Sequence, residues 1–190
     1  MSSYARTWKR VTDITLASVT LAVISPVSGI IAAAIWLEDR GPAIFRQKRV
    51  GAAGKEFTIL KFRSMEIGTP SRPSDSAAEF AITRTGRLIR RLNLDELPQL
   101  VNVLRGEMSI VGPRPALKTQ TEVITARQAN GALSLKPGLT GLAQINSYDG
   151  MSPVEKARFD GEYASRVSFR LDCEIILRTF GYLLKPPPTY

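Results

Sequence analysis

Between Arg90 and Pro115 the chain carries two adjacent carboxylates, Asp95 and Glu96, and then an arginine, Arg114, locked between Pro113 and Pro115. The chain contains no histidine, so any acid–base or metal chemistry must fall to carboxylates. An arginine with a fixed backbone loses little entropy on binding, and its planar fork matches phosphate oxygens bidentately. The acidic pair alone also fits the ordinary preference of acids for helix starts, and Arg114 alone fits a structural turn. Their combination points to anion chemistry.

Several elements must position these groups. Leu94, Leu97, Val101 and Leu104 recur at helical spacing and Gly106 reads as a stop, which predicts a helix of about three turns. Pro98 is tolerated only in a first turn, so the helix should begin near Leu94, with Asp95 and Glu96 at its positive end, where ionised carboxylates and phosphate are both favoured. Phe45 to Arg63 reads as two short strands around a Gly51-Ala-Ala-Gly54 turn, with Lys61 and Arg63 on one face. That pair of cations could grip a diphosphate or simply guard an edge strand. Glu66 to Ala78 has loop composition, and Ala116 to Ala132 should be helical. Lys136 to Gly141 is a turn-rich connector leading into a Leu142–Ile145 strand. Ser152 and Pro153 open a capped helix through about Ala164, and Phe169 to Leu184 forms a basic amphipathic helix.

The 190 residues suit one domain, and the net charge of +9 calls for an anionic partner. Dispersed basic residues without an aromatic platform argue against nucleic acid. The single cysteine, Cys173, excludes an intrachain disulfide and reads as a small core residue. From Ile14 to Leu37 there is no charge, a run long enough to span a bilayer. Pro26, preceded by Ser25, should break it into two halves, and the Ser25 hydroxyl can satisfy a backbone group that Pro26 frees. Both flanks are basic, so both ends favour the cytoplasmic side. The run by itself admits either a kinked transmembrane helix or a re-entrant hairpin that enters and leaves one leaflet.

In sequence order, the Ser25-Pro26 hairpin, Phe45-Arg-Gln-Lys-Arg-Val-Gly, Lys61-Phe-Arg-Ser-Met65, Leu94-Asp-Glu-Leu-Pro-Gln-Leu, Met108-Ser-Ile-Val-Gly-Pro-Arg-Pro115 and Pro137-Gly-Leu-Thr-Gly-Leu-Ala-Gln144 resemble the small monotopic phosphoglycosyl transferases, the bacterial sugar transferases. That resemblance implies transfer of a sugar 1-phosphate from a UDP-sugar to undecaprenyl phosphate, with UMP released. The step would open assembly of O-antigen, capsule, exopolysaccharide or another glycoconjugate. It also implies Asp95 as nucleophile and magnesium ligand, Glu96 in positioning or in proton and metal management, and Mg2+ as cofactor. Arg114 would hold phosphate oxygens, with Lys61, Arg63 and Arg90 as further phosphate ligands. Lys156, Asp160 and Tyr163 fit the family pattern without an evident role.

The expected architecture is α+β and mainly helical. A re-entrant membrane hairpin (1–40) would join a cytoplasmic catalytic domain (41–190) with membrane-surface amphipathic helices, on the inner face of the bacterial inner membrane, compatible with a homodimer. Asn146-Ser-Tyr-Asp-Gly150 and Ala132-Leu-Ser-Leu depart from the pattern of many relatives, in a region expected from the resemblance to shape the sugar pocket. A membrane-bound diphosphate hydrolase would share the magnesium and arginine logic, with water as acceptor. A non-catalytic basic membrane-surface protein would explain the charge and the apolar run, but not the acidic pair or the Pro-Arg-Pro segment.

Overall fold

The computed structural model describes residues 4, 8–69, 82–147 and 151–183. The apolar run folds as a single helix, α1 (Lys9–Asp39), uninterrupted by Pro26, where two halves were expected. Proline leaves the carbonyl four residues back without its partner. Here that carbonyl is Ala22 O, and Ser25 Oγ donates to it at 3.0 Å, the compensation the sequence suggested.

Both ends of α1 are fastened to the rest of the chain. Near its start, Arg10 donates to the carbonyls of Val103 and Leu104 at 2.5 and 2.9 Å. Asp13 accepts from Ser109 Oγ at 2.8 Å and Ile110 N at 3.0 Å, and Lys9 reaches Asp172 at 2.7 Å. At its other end Glu38 accepts from the amides of Arg84 and Thr85, and Asp39 pairs with Arg63. Ala17 belongs to a core cluster with Ile59, Leu100, Val103 and Met108; Ile31 and Ile35 belong to another with Phe62 and Ile89. Val19, Val23, Val27 and Ile30 face outward, so the helix carries an apolar outer surface along its middle.

Strands β1 (Ile44–Val50) and β2 (Glu56–Phe62) form the expected hairpin, turning through Ala52–Gly54 with Ala53 at φ 53°. Their antiparallel register sets Phe45 opposite Lys61, Gln47 opposite Ile59 and Arg49 opposite Phe57, so these six side chains share a face. Helix α2 (Arg84–Arg91) follows, capped by Thr83. A 3₁₀ turn at Leu94–Glu96 and helix α3 (Gln99–Arg105) come next. Asn102 sews α3 onto the hairpin: its amide accepts from Leu60 N at 3.1 Å and donates to Thr58 O at 2.7 Å.

Strand β3 (Ser109–Val111) pairs in parallel with β4 (Gly138–Thr140). The backbones come so close that a Cβ on Gly138 would lie 2.1 Å from Gly112 N, which explains a glycine there. The expected connector therefore becomes a strand, and the expected Leu142–Ile145 strand is a helical turn, α5. Helix α4 (Thr121–Ala129) is shorter than predicted. Helix α6 (Pro153–Arg166) carries the full Ser152/Glu155 capping box, and α7 spans Phe169–Leu183. Cys173 is half-buried. Most of the Glu66–Ala78 loop lies outside the described residues.

Candidate active site

Asp95 and Glu96 occupy the 3₁₀ turn between α2 and α3, not the first turn of a continuous helix. The cause is Asn93, which adopts left-handed backbone at φ 53°, a conformation asparagine tolerates better than most residues. This ends α2 and starts a new turn whose Leu94 and Leu97 pack against Phe62 and Ile89. The acidic pair is thus set beside the hairpin, where Lys61 of β2, together with Arg90 and Arg114, supplies the charges that act on it in place of the expected helix dipole.

The two neighbours are treated differently. Glu96 Oε1 receives Lys61 Nζ at 2.7 Å and Arg114 Nη2 at 3.1 Å. Burial resists its ionisation, but these two cations overcome that and hold its carboxyl down at about 2. Asp95 has no hydrogen bond or ion pair to any described residue. Burial, with the negative charge of Glu96 adding to it, pushes its carboxyl up against the pull of Lys61, Arg90 and Arg114. Adjacent carboxylates whose ionisations are driven apart can serve separate roles.

Of the predicted phosphate ligands, Lys61, Arg90 and Arg114 gather around this pair. Arg90 sits half-buried in the last turn of α2, near enough for its charge to favour ionised Asp95. Arg63 lies elsewhere. Strand β2 ends at Phe62, so the alternation that would align Arg63 with Lys61 stops, and its buried guanidinium clamps Asp39 at the end of α1.

Arg49 is a cation that sequence reasoning quoted in a motif without assigning a role. It is held by Gln47 Oε1 at 2.9 Å from Nε, and its Nη1 donates to Pro115 O at 3.3 Å. Burial and the charge of Arg114, partly offset by Glu96, bring its pKa down to about 10. Strand alternation from Lys61's partner Phe45 through Gln47 to Arg49 was the available signal.

The Pro113-Arg114-Pro115 segment is suspended between two backbone pairings. Gly112 N donates to Thr140 O at 2.9 Å on one side, and Val50 N donates to Ala116 O at 2.9 Å on the other. A shallow recess beside it is lined by Gly51, Pro113, Arg114, Arg127, Leu133 and Leu135 among others. Lys156 is half-buried on α6, whereas Asp160 and Tyr163 are buried in polar networks: Asp160 with Arg127, and Tyr163 Oη donating to Asp172 Oδ1 at 2.7 Å.

No three acidic or cysteine side chains converge as a metal cage among the described residues. The unpartnered Asp95 carboxylate nevertheless fits magnesium, which commonly takes one or two protein carboxylates and fills its shell with water and substrate phosphate.

A half-buried carboxylate that no described side chain holds, set among Lys61, Arg90 and Arg114, suits the handling of an anionic ester, and the comparison with known proteins points the same way. Residues 4–186 match the bacterial sugar transferase family. The chain is 42 % identical over 176 residues to the uncharacterized sugar transferase EpsL of Bacillus subtilis (strain 168), covering 93 % of this chain and 87 % of that protein. It is 40 % identical over 191 residues to the UDP-glucose:undecaprenyl-phosphate glucose-1-phosphate transferase of Caulobacter vibrioides, covering 96 % and 72 %. The Escherichia coli (strain K12) protein of the same name is 41 % identical over 188 residues, 94 % of this chain but 40 % of that longer protein. This chain belongs to the bacterial sugar transferase family and is a sugar-phosphate transferase.

Proposed function

We propose that this protein moves a sugar 1-phosphate from a UDP-sugar to undecaprenyl phosphate in exopolysaccharide production, by way of a covalent phosphosugar on Asp95. The observation that carries this reading is the contrast between Glu96, whose Oε1 is paired with both Lys61 and Arg114, and Asp95, which no described side chain holds. The names of the Caulobacter and Escherichia coli relatives support the donor and acceptor classes, and the exopolysaccharide production protein ExoY of Rhizobium meliloti, 36 % identical, supports the pathway class.

In this mechanism an Asp95 carboxylate oxygen attacks the phosphorus that bears the sugar. The bond from that phosphorus to the bridging oxygen breaks, and UMP leaves with the electron pair. An oxygen of undecaprenyl phosphate then attacks the same phosphorus, breaking the aspartyl–phosphorus bond and restoring the Asp95 carboxylate. Arg114, Lys61 and Arg90 bind and orient the phosphate oxygens and stabilise charge as the phosphoryl group moves. Glu96 keeps Lys61 and Arg114 aimed at that space. Magnesium, held by Asp95 and the diphosphate, would supply further charge neutralisation.

The membrane reading is that α1 is re-entrant, with the catalytic residues on the cytoplasmic face, where nucleotide sugars are made. Its support is that the two ends of α1 are fastened to one domain, Arg10 on α3 and Glu38 on α2, while the middle presents Val23 and Ile30 outward. A single helix then replaces the hairpin expected from Pro26. The test is UMP release by the detergent-purified protein with UDP-glucose, magnesium and undecaprenyl phosphate. Sustained release that requires the lipid phosphate is expected; sustained release without it would mean a diphosphate hydrolase.

A further inference from the structure

The Arg114 backbone is held by more than its flanking prolines. Arg127 Nη1 donates to the Arg114 carbonyl oxygen at 2.8 Å. Arg127 is in turn gripped by Asp160, whose Oδ2 accepts from Nε at 2.8 Å and pairs with Nη2 at 2.7 Å. Asp160 is 1 % exposed and Arg127 6 %, so water screens neither charge. The packing of α6 on α4 makes this contact. A Cβ on Gly161 would lie 2.5 Å from Asn130 Nδ2, and that amide donates to Ala157 O at 2.6 Å. The close helix approach that Gly161 permits carries its neighbour Asp160 onto Arg127.

A buried ion pair is a weak source of stability compared with apolar side chains of similar size. This one has a specific geometric product. Arg127 fixes the peptide from which the Arg114 side chain departs, and Arg49 fixes the next carbonyl, Pro115 O. The Arg114 guanidinium itself is half exposed and reaches Glu96 Oε1, so its aim depends on the backbone beneath it.

We propose that Asp160 is a positioning residue for the donor diphosphate, acting through Arg127 and the Arg114 carbonyl to set where the Arg114 guanidinium stands. This rests on the reading above that Arg114 holds phosphate oxygens. Asp160 itself touches no substrate.

The test is a double-mutant cycle on UDP binding, measured by calorimetry on the full chain in detergent with magnesium. UDP presents the diphosphate shared by every UDP-sugar donor. Arg114→Ala is expected to weaken UDP binding, and Asp160→Asn to weaken it about tenfold. Asp160→Asn placed in the Arg114→Ala background is expected to add nothing, because its effect travels through Arg114. A general loss of structure would instead persist in that background. If Asp160→Asn fails to fold, Arg127→Lys takes its place in the cycle; a lysine keeps a cation for Asp160 but loses the planar fork whose separate nitrogens reach Asp160 and the Arg114 carbonyl. An undiminished loss in the Arg114→Ala background, or no loss from Asp160→Asn at all, overturns the proposal while leaving Arg114 in its role. Absence of UDP binding, or no effect of Arg114→Ala, overturns the reading of Arg114 and the proposal with it.

Discussion

The acids of the catalytic turn and those of the supporting scaffold are buried on different terms. In the scaffold each has its partners: Asp160 has Arg127, Asp13 has Ser109 and the Ile110 amide, and Asp172 has Lys9, Tyr4 and Tyr163. In the turn, Glu96 follows that rule and Asp95 breaks it. A half-buried carboxylate that no described side chain holds, set among cations, leaves room for a ligand to complete the structure. The scaffold spends its charges holding elements together. The turn keeps one carboxylate in reserve.

That contrast can be broken most severely at Asp95. Asp95→Asn should reduce lipid-dependent UMP release by about a thousandfold or more, since the amide cannot serve as the nucleophile. Glu96→Gln comes next. It leaves Lys61 and Arg114 without their anion, and should lower kcat/KM about a hundredfold and stability by about 2–3 kcal/mol, read by UMP release and by thermal denaturation in detergent.

The Asp95 carboxyl is raised in the metal-free protein and magnesium must displace its proton, so magnesium affinity should fall along an acid limb that lies above the ordinary aspartate range. Glu96, held down at about 2, stays ionised throughout that limb. Arg90→Ala removes a charge that favours ionised Asp95 and should move the limb to higher pH; a shift to lower pH would contradict the arrangement. Glu96 also gives acid stability a defined window. Its folded value lies below the ordinary 4.5, so its contribution is fully present above about 4.5 and is lost as pH falls towards about 2.

The smallest effect has the opposite sign. A raised aspartate is destabilising once ionised, so Asp95→Asn should slightly increase stability at neutral pH in magnesium-free buffer, measured by the same denaturation. The same substitution would destabilise if Asp95 were a scaffold acid.

Much of this was legible in the chain because it is local. The β1–β2 hairpin, the Ser152 capping box and the compensation of Pro26 by Ser25 each depend on residues a few positions apart. The acidic pair and the Pro-Arg-Pro segment announced themselves by type. What sequence reading missed depends on chain crossings. Gly138–Thr140 is a strand only because β3 passes beside it, and the Arg127–Asp160 pair joins two helices with no local signal for their contact. Arg63 was misplaced because strand alternation was carried one residue too far. The helix expected from Leu94 was split by left-handed Asn93, whose backbone no periodicity reveals.

The central claim is that Asp95, and not Glu96, receives the phosphosugar. The direct measurement is mass spectrometry of peptides from protein incubated with UDP-glucose and magnesium in the absence of undecaprenyl phosphate. The account predicts a hexose-phosphate adduct on Asp95 that disappears when undecaprenyl phosphate is added. An adduct on Glu96, or no adduct in a preparation that sustains lipid-dependent UMP release, would contradict it.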